Sequence, residues 1–270
     1  MRDEKYVLAT GDTAIERLKV VEATHGPDTQ AFLKRAGLRE GMHVADIGCG
    51  VGIVSQWIAS QVGSSGSVVG VDASAEQVQT ATQLARQAGI TNLRFHAASA
   101  YATGLPYGTF DMVFCRFLLM HLAHPEKALR EMVALLKPAG VLAVEDGDFT
   151  AAFCWPPSHA YERCFELYRA AGAQQGADFT IGRKLFSLVC ELGLHSVQVN
   201  LAQPIFAEGP QKLLPGWTIE EAAENLIAAG LASREEIEEL CRQLRRLAGD
   251  KTVVFGMARM MQVWGTKQVV

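Results

Sequence analysis

The sequence predicts an α/β protein built on a mostly parallel sheet, and three observations carry the prediction. Short apolar runs alternate with amphipathic stretches from residue 43 to residue 146, glycines and prolines punctuate the joins, and the first run passes directly into a glycine-rich loop followed by a helix. Right-handed crossovers between parallel strands then place helices on both faces, a doubly wound arrangement. With 270 residues, 49% of them hydrophobic, the chain is long enough for one large domain with a sizeable core.

Residues 1–40 read as a helical segment in pieces. In "DTAIERLKVVEAT", Ile15, Leu18 and Val21 recur at helical spacing, and "DTQAFLKRAGL" starts at an N-cap residue, Asp28, and stops at Gly37. "HVADIG" (43–48) is the first strand, "GIVSQWIASQVG" (52–63) a helix, and "SVVGVD" (67–72) the second strand. The next helix (74–89) has Ser74 as N-cap, Gln77 three residues on, and Gly89 as its stop. "NLRFHA" and "FDMVFCR" (110–116) are strands three and four. A helix over 125–140 begins with Pro125 in its first turn and is stopped by Pro-Ala-Gly, and "VLAVED" (141–146) is the fifth strand. Helices follow at 158–173 and 182–193, then a strand at 195–206, two amphipathic helices, and a last strand at 252–265. The expected organisation is a single domain: an N-terminal helical segment (1–40), a core sheet of seven strands (41–206 and 251–270), and a helical lid insertion (207–250).

Composition excludes several classes. The net charge is −4, from 25 Lys+Arg against 29 Asp+Glu, so nothing attracts nucleic acid or an anionic membrane. No apolar run approaches the roughly 18 residues of a membrane span. "MRDEKYVLATGDTAIERL" lacks the apolar centre of a signal peptide. Six cysteines without a C-x-x-C pair read as reduced thiols of a cytoplasmic protein rather than as a zinc site or disulfide framework.

The loop "VADIGCGVG" (44–52) carries the chemistry. A strand–loop–helix with glycines presents backbone N–H groups at the carboxyl end of a strand, where open α/β sheets bind ligands. A nicotinamide-dinucleotide fingerprint would need glycine at position 53, which is Ile53, and the Lys-Ser/Thr of a P-loop is missing. Asp46 at the mouth of the loop would repel a pyrophosphate and suits a cofactor whose near end is cationic. S-adenosylmethionine, with its sulfonium, its ammonium and no phosphate, has that character. Asp72, at the end of strand two, can accept the hydroxyls of a ribose.

With "VVGVDAS" and "LPYGTFDMVFCRFLLMHLAHPEKALREMVALLKPAGVLAVED", the loop resembles the class I S-adenosylmethionine-dependent methyltransferases, in particular the ubiquinone/menaquinone-biosynthesis-like group (methyltransferase type 11), most strongly over residues 28–146. The resemblance implies a Rossmann-like sheet with an antiparallel last strand. It implies that Asp46, Gly48, Cys49, Gly50 and Gly52 lie beside the methionine part of the cofactor, with Asp72 on the ribose, Ala73 by the adenine and Gln77 near the ribose or adenine edge. The usual Gly-Asp-Ala after strand three is here Ala98-Ser99-Ala100, so Ser99, with Ala100 beside it, is either a weaker adenine partner or an ordinary loop serine. The resemblance further implies that Cys115 and Arg116 border the methionine end, and it makes Tyr6 and Gln30 candidates to close over the cofactor.

His121 and His124 form H-x-x-H without a third ligand at metal spacing. His121 is either a general base near the transferred methyl or a buried residue satisfying a backbone group, and His124 fits a pre-proline turn. Arg116 binds a substrate anion or pairs with a local acid. "EDGD" (145–148) follows strand five, but the remaining ligands of the metal-dependent enzymes are not recognisable, so no metal is expected. Phe149, Phe153, Trp155 and Trp217 either line an apolar substrate pocket or pack the insertion onto the sheet.

The expected function is transfer of a methyl group to an O, N or C nucleophile of a small, partly apolar molecule, by a monomer or homodimer that binds neither nucleic acid nor membrane. The alternatives are a protein of the same fold that binds S-adenosylmethionine without transferring methyl, and a nicotinamide-dependent oxidoreductase.

Overall fold

The computed structural model describes residues 12–269, with side chains from Arg17 onward. Helix α1 (Asp12–Arg35) leads into β1 (His43–Ile47), α2 (Ile53–Val62), β2 (Ser67–Asp72), α3 (Ala75–Gln87), β3 (Leu93–Ala97), β4 (Phe110–Arg116), α4 (Pro125–Leu135) and β5 (Leu136–Asp148). The second half contains β6 (Phe153–Trp155), α5 (His159–Gln174), α6 (Leu185–Cys190), β7 (His195–Ala202), β8 (Ile205–Phe206), α7 (Leu214–Ala228), α8 (Arg234–Gly249), β9 (Val254–Gly256) and β10 (Arg259–Thr266).

The main sheet has seven strands in the order β3-β2-β1-β4-β5-β10-β7. Its first five strands pair in parallel, and β10 runs antiparallel to both β5 and β7. Both faces are covered, which is why β1, β2 and β4 read as near-continuous apolar runs. Alternation sorts their side chains. Val44, Met112 and Phe114 pack with Phe32 and Leu33 of α1 and Ile58 and Val62 of α2 on one face. Ala45, Ile47, Val113 and Cys115 pack with Leu129 and Met132 of α4 on the other.

Helix α1 is continuous through Gly26-Pro27, where the sequence suggested a break. Its inward stripe explains this: Leu18, Val21, His25, Thr29 and Phe32 recur at spacings of three and four. Tertiary anchoring of that stripe outweighs the missing N–H of Pro27. Strand β5 begins at Leu136, five residues before the predicted start, with an irregularity that carries Pro138 and Ala139 around the edge before register resumes at Val141.

The two last predicted strands are each split. The chain leaves the main sheet after Ala202 and before Arg259, and β6, β9 and β8 form a separate three-stranded sheet. The crossover is pinned by Gln203, whose amide donates to the carbonyls of Ala151 and Met257, and by the Met257 N–H, which donates to Pro204 O. A third core cluster joins Tyr161 and Phe165 of α5, Ile219 and Leu226 of α7, Leu240 and Leu244 of α8, and Phe255 of β9. The helical layer thus includes α5 as well as residues 207–250.

Lys212 holds this layer together. It is 1% exposed, and its ammonium donates to the carbonyls of Ala207 (3.1 Å), Asp250 (2.6 Å) and Val253 (2.7 Å). Lys212→Met leaves these acceptors without their donor and is expected to cost about 3 kcal/mol in urea denaturation; a cost below about 1 kcal/mol would contradict this role.

Candidate active site

The strand order reverses at β1, which lies between β2 and β4. An open α/β sheet has its crevice at that point, beyond the carboxyl ends of the strands, and a cavity of about 410 Å³ occupies it.

The near half is built by the β1–α2 loop. Gly48, Gly50 and Gly52 all have positive φ, at 74°, 55° and 77°. The N–H groups of Gly48 and Cys49 both donate to Val71 O, tying the loop to β2. A Cβ on Gly48 would stand 2.8 Å from Leu118. Gly52 has a different reason: its Cβ would stand 2.4 Å from the Phe95 ring, so it packs rather than lines the cavity. Asp72 accepts the N–H of Gly50 through one oxygen and that of Ser74 through the other, each at 2.9 Å, and so presents a positioned carboxylate at the cavity wall.

Asp46 is 2% exposed, and among the described residues Ser55 engages its side chain, donating to Oδ2 at 2.5 Å. Burial pushes its carboxyl up to about 6, against the lowering effects of the Ser55 hydrogen bond and of Arg116. An acid in this state gains from a cation in the cavity. Cys49 lines the same wall, and burial pushes its thiol well above the ordinary range, so it is a neutral thiol. Ala73, Gln77, Ala98 and Ala100 complete this half.

The far half is covered by α1, α5 and α7, through Leu18, Val21 and His25, Cys164, Phe165 and Tyr168, and Leu214, Pro215 and Thr218. Phe117, at a φ of 52°, turns off the end of β4 into this space. Phe149 joins it, with ring centroids 5.2 Å from Tyr168 and 6.1 Å from Phe165. His121 also lines it, edge-on to Phe179 at 5.4 Å; burial first, then Arg17, lowers its pKa to about 4, so the ring is neutral.

Arg116 reaches the cavity but is already paired: it donates to Glu22 at 2.6 Å and to the Thr29 hydroxyl at 3.0 Å. Thr29 in turn donates to Glu145 (2.7 Å), which also accepts from Gln262 (2.8 Å). Asp146 accepts the N–H groups of Met120 and Gly147 and so holds the turn that carries His121. Asp148 is bound by Arg183 and by Thr150. The acids of "EDGD" are therefore engaged by protein donors.

Several residues singled out in the sequence lie elsewhere. Ser99 is not on the cavity wall; its hydroxyl accepts the Tyr101 N–H within a turn. Cys115 points to the opposite face of the sheet, because Phe114 and Arg116 hold the alternate positions. Gln30 is half-buried beside the inward stripe of α1, not in it. Phe153 covers Gly256, and Trp155 is 65% exposed at the edge of the small sheet. Trp217 is half-buried off the wall formed by Leu214, Pro215 and Thr218. Tyr6 lies outside the described residues. Sequence reasoning missed His25, Arg17, Met257 and Ala258 at the cavity; the helical periodicity of α1 was the signal for the first two, and the split of the last strand hid the others.

The comparisons agree with this geometry. A model of the methyltransferase domain family matches residues 38–209. The uncharacterized methyltransferase YcgJ of Bacillus subtilis is 32% identical over 121 residues, 45% of this chain and 47% of that protein. The ubiquinone/menaquinone biosynthesis C-methyltransferase UbiE of Escherichia fergusonii is 33% identical over 128 residues, 47% of this chain and 50% of that protein. The chain thus spans about half the length of the curated relatives it matches. The crystal structure of the Bacillus subtilis protein superposes with a TM-score of 0.62 at 19% identity, covering 91% of this chain and all of that one, a likeness of fold. With the family model spanning well over half of its residues, the chain belongs to the methyltransferase domain family.

Proposed function

We propose that the protein transfers the methyl group of S-adenosylmethionine to an O, N or C nucleophile of a small, partly apolar molecule. The observation that carries this is a cavity in two halves, one with two carboxylates against a glycine loop, the other largely apolar and flanked by helices α1, α5 and α7. The donor set of the near half fits the cofactor. Asp46 is a buried acid that a neighbouring cation would stabilise. Asp72 is oriented for a diol, and no lysine or arginine on the loop offers a phosphate site. When bound, S-adenosylmethionine supplies a methyl carbon already activated by its sulfonium leaving group.

The chain's own residues then supply position and dryness. Alignment of nucleophile, methyl and sulfur accounts for much of the rate in such a displacement. Helices α1, α5 and α7 exclude water over the far half, the role assigned to the helical lid. His121, with its pKa lowered to about 4, stays neutral between pH 5 and 8, so its own titration does not gate the rate in that range.

Methyl-labelled S-adenosylmethionine incubated with the protein and a metabolite extract is expected to give a labelled small molecule. Cofactor binding without any transferred label across a broad panel would instead favour a binding or non-methyl role.

A pH dependence follows from Asp46, raised to about 6. Its charged form attracts the cation, so affinity is expected to be flat above about pH 7 and to fall by up to tenfold per unit as pH drops below about 6. Calorimetric titration from pH 5 to 8 reads this, and an affinity independent of pH would remove Asp46 from the site.

A further inference from the structure

Arg17 is a charged residue of the far half that the mechanism above does not use. It precedes Leu18 on α1, is 8% exposed, and lines the cavity. Its Nε lies 3.0 Å from Oε2 of Glu221 on α7, and the two side chains are 9% and 13% exposed, so this charge is held away from bulk water. Its field reaches the interior of the far half: after burial, Arg17 is what lowers the pKa of His121, another residue of the wall.

The placement of the acids makes this part of the wall electropositive. Arg116 and Glu22 both line the cavity and pair at 2.6 Å, so together they present no net charge. Arg17 lines the cavity, whereas its partner Glu221 is off the wall. A guanidinium carries five N–H donors in a planar fork. Glu221 meets the fork at Nε, a nitrogen sealed from solvent. The opposite edge, formed by the two terminal nitrogens, has the spacing that two carboxylate oxygens match. Around it the wall is mixed, with His121, Tyr168 and Thr218 among Phe117, Phe149 and Leu214. One guanidinium balances one negative charge, and no lysine joins it on the wall among the described residues, so a phosphate dianion would keep a charge unmatched.

Resting on the proposed cofactor site, we infer that the far half receives an acceptor with an apolar body and one carboxylate, and that the terminal nitrogens of Arg17 anchor that carboxylate. Arg17 then sets specificity: a neutral analogue forgoes the charge-assisted bonds, and a cationic one meets a like charge in a dry site.

The test uses 2-naphthoate, its neutral amide 2-naphthamide, and the cation 2-naphthylmethylammonium as probes on the full chain at pH 7.5, with and without S-adenosylhomocysteine. Wild-type protein is expected to bind 2-naphthoate about tenfold more tightly than either analogue. In Arg17→Met the preference for the acid over the amide is expected to vanish. Arg17→Lys is expected to keep about threefold of it, because an ammonium retains the charge and loses the fork. Arg17→Met combined with Glu221→Gln leaves neither charge of the pair behind, and it reads the same loss if Arg17→Met alone fails to fold. The wild-type series needs no variant. Equal binding of acid and amide by wild type, tighter binding of the cation, no binding of naphthoate, or a preference that survives in Arg17→Met or in the double variant overturns the inference. Failure to bind S-adenosylhomocysteine is a separate outcome: it strikes the cofactor assignment, and the probe series without it still judges Arg17.

Discussion

Replacing Asp46 with asparagine is expected to weaken S-adenosylmethionine binding by roughly 100-fold, the equivalent of one charge-assisted contact in a buried site, while leaving the fold at least as stable. The two halves of this expectation have one cause. Asp46 is buried with a single hydrogen bond, and its carboxyl is raised to about 6 in the folded state. The unfolded value is about 3.9. The folded state therefore holds the proton more tightly, and the group's contribution to stability is fully present below about pH 4 and lost as pH rises through about 6. At pH 7.5 the charged side chain is a cost, which asparagine removes while keeping a partner for Ser55. Calorimetry and urea denaturation on the same variant separate the two effects. A variant that loses binding and stability together would make Asp46 a structural residue.

Replacing Arg116 with methionine is expected to destabilise the protein by about 3–5 kcal/mol, because it removes one partner from a largely buried ion pair. The side chains of Arg116 and Glu22 are only 12% and 19% exposed, and the same guanidinium holds Thr29, which bonds Glu145. These contacts fasten α1 across the carboxyl edge of β4 and β5. Loss of Arg116 leaves Glu22 without its counter-charge and Glu145 without the charge that offsets its burial. Hydrogen exchange should accelerate across residues 17–35 well before it does in β1 or β2. Uniform exchange across the chain would show that α1 is held by its apolar stripe instead.

Much of the parallel sheet was legible in the sequence because both faces are covered: β2 and β4 are found at the predicted residues, Ser67–Asp72 and Phe110–Arg116. The loop was legible for a related reason, since only glycine meets the backbone demands at Gly48 and Gly50. What failed was tertiary. The Gly26-Pro27 pair looks like a break, and only the contacts of Thr29 and Phe32 with the sheet show why the helix continues. Two apolar runs that look like single strands, 195–206 and 252–265, each serve two sheets. The aromatics of the second half could not be sorted by type: Phe149 enters the cavity, whereas Phe153, of the same chemistry, covers Gly256 in the small sheet. His25 carries no motif, and its place at the cavity depends on the α1 docking that the sequence appeared to interrupt.

The cavity at the reversal of strand order is expected to select a cationic nucleoside over a dinucleotide. Isothermal titration of the wild-type protein with S-adenosylmethionine and with NADH at pH 7.5 decides between the two. One saturable site is expected for S-adenosylmethionine, about 100-fold weaker in Asp46→Asn, and no binding of NADH. Saturable binding of NADH, or an S-adenosylmethionine affinity indifferent to Asp46, would contradict it.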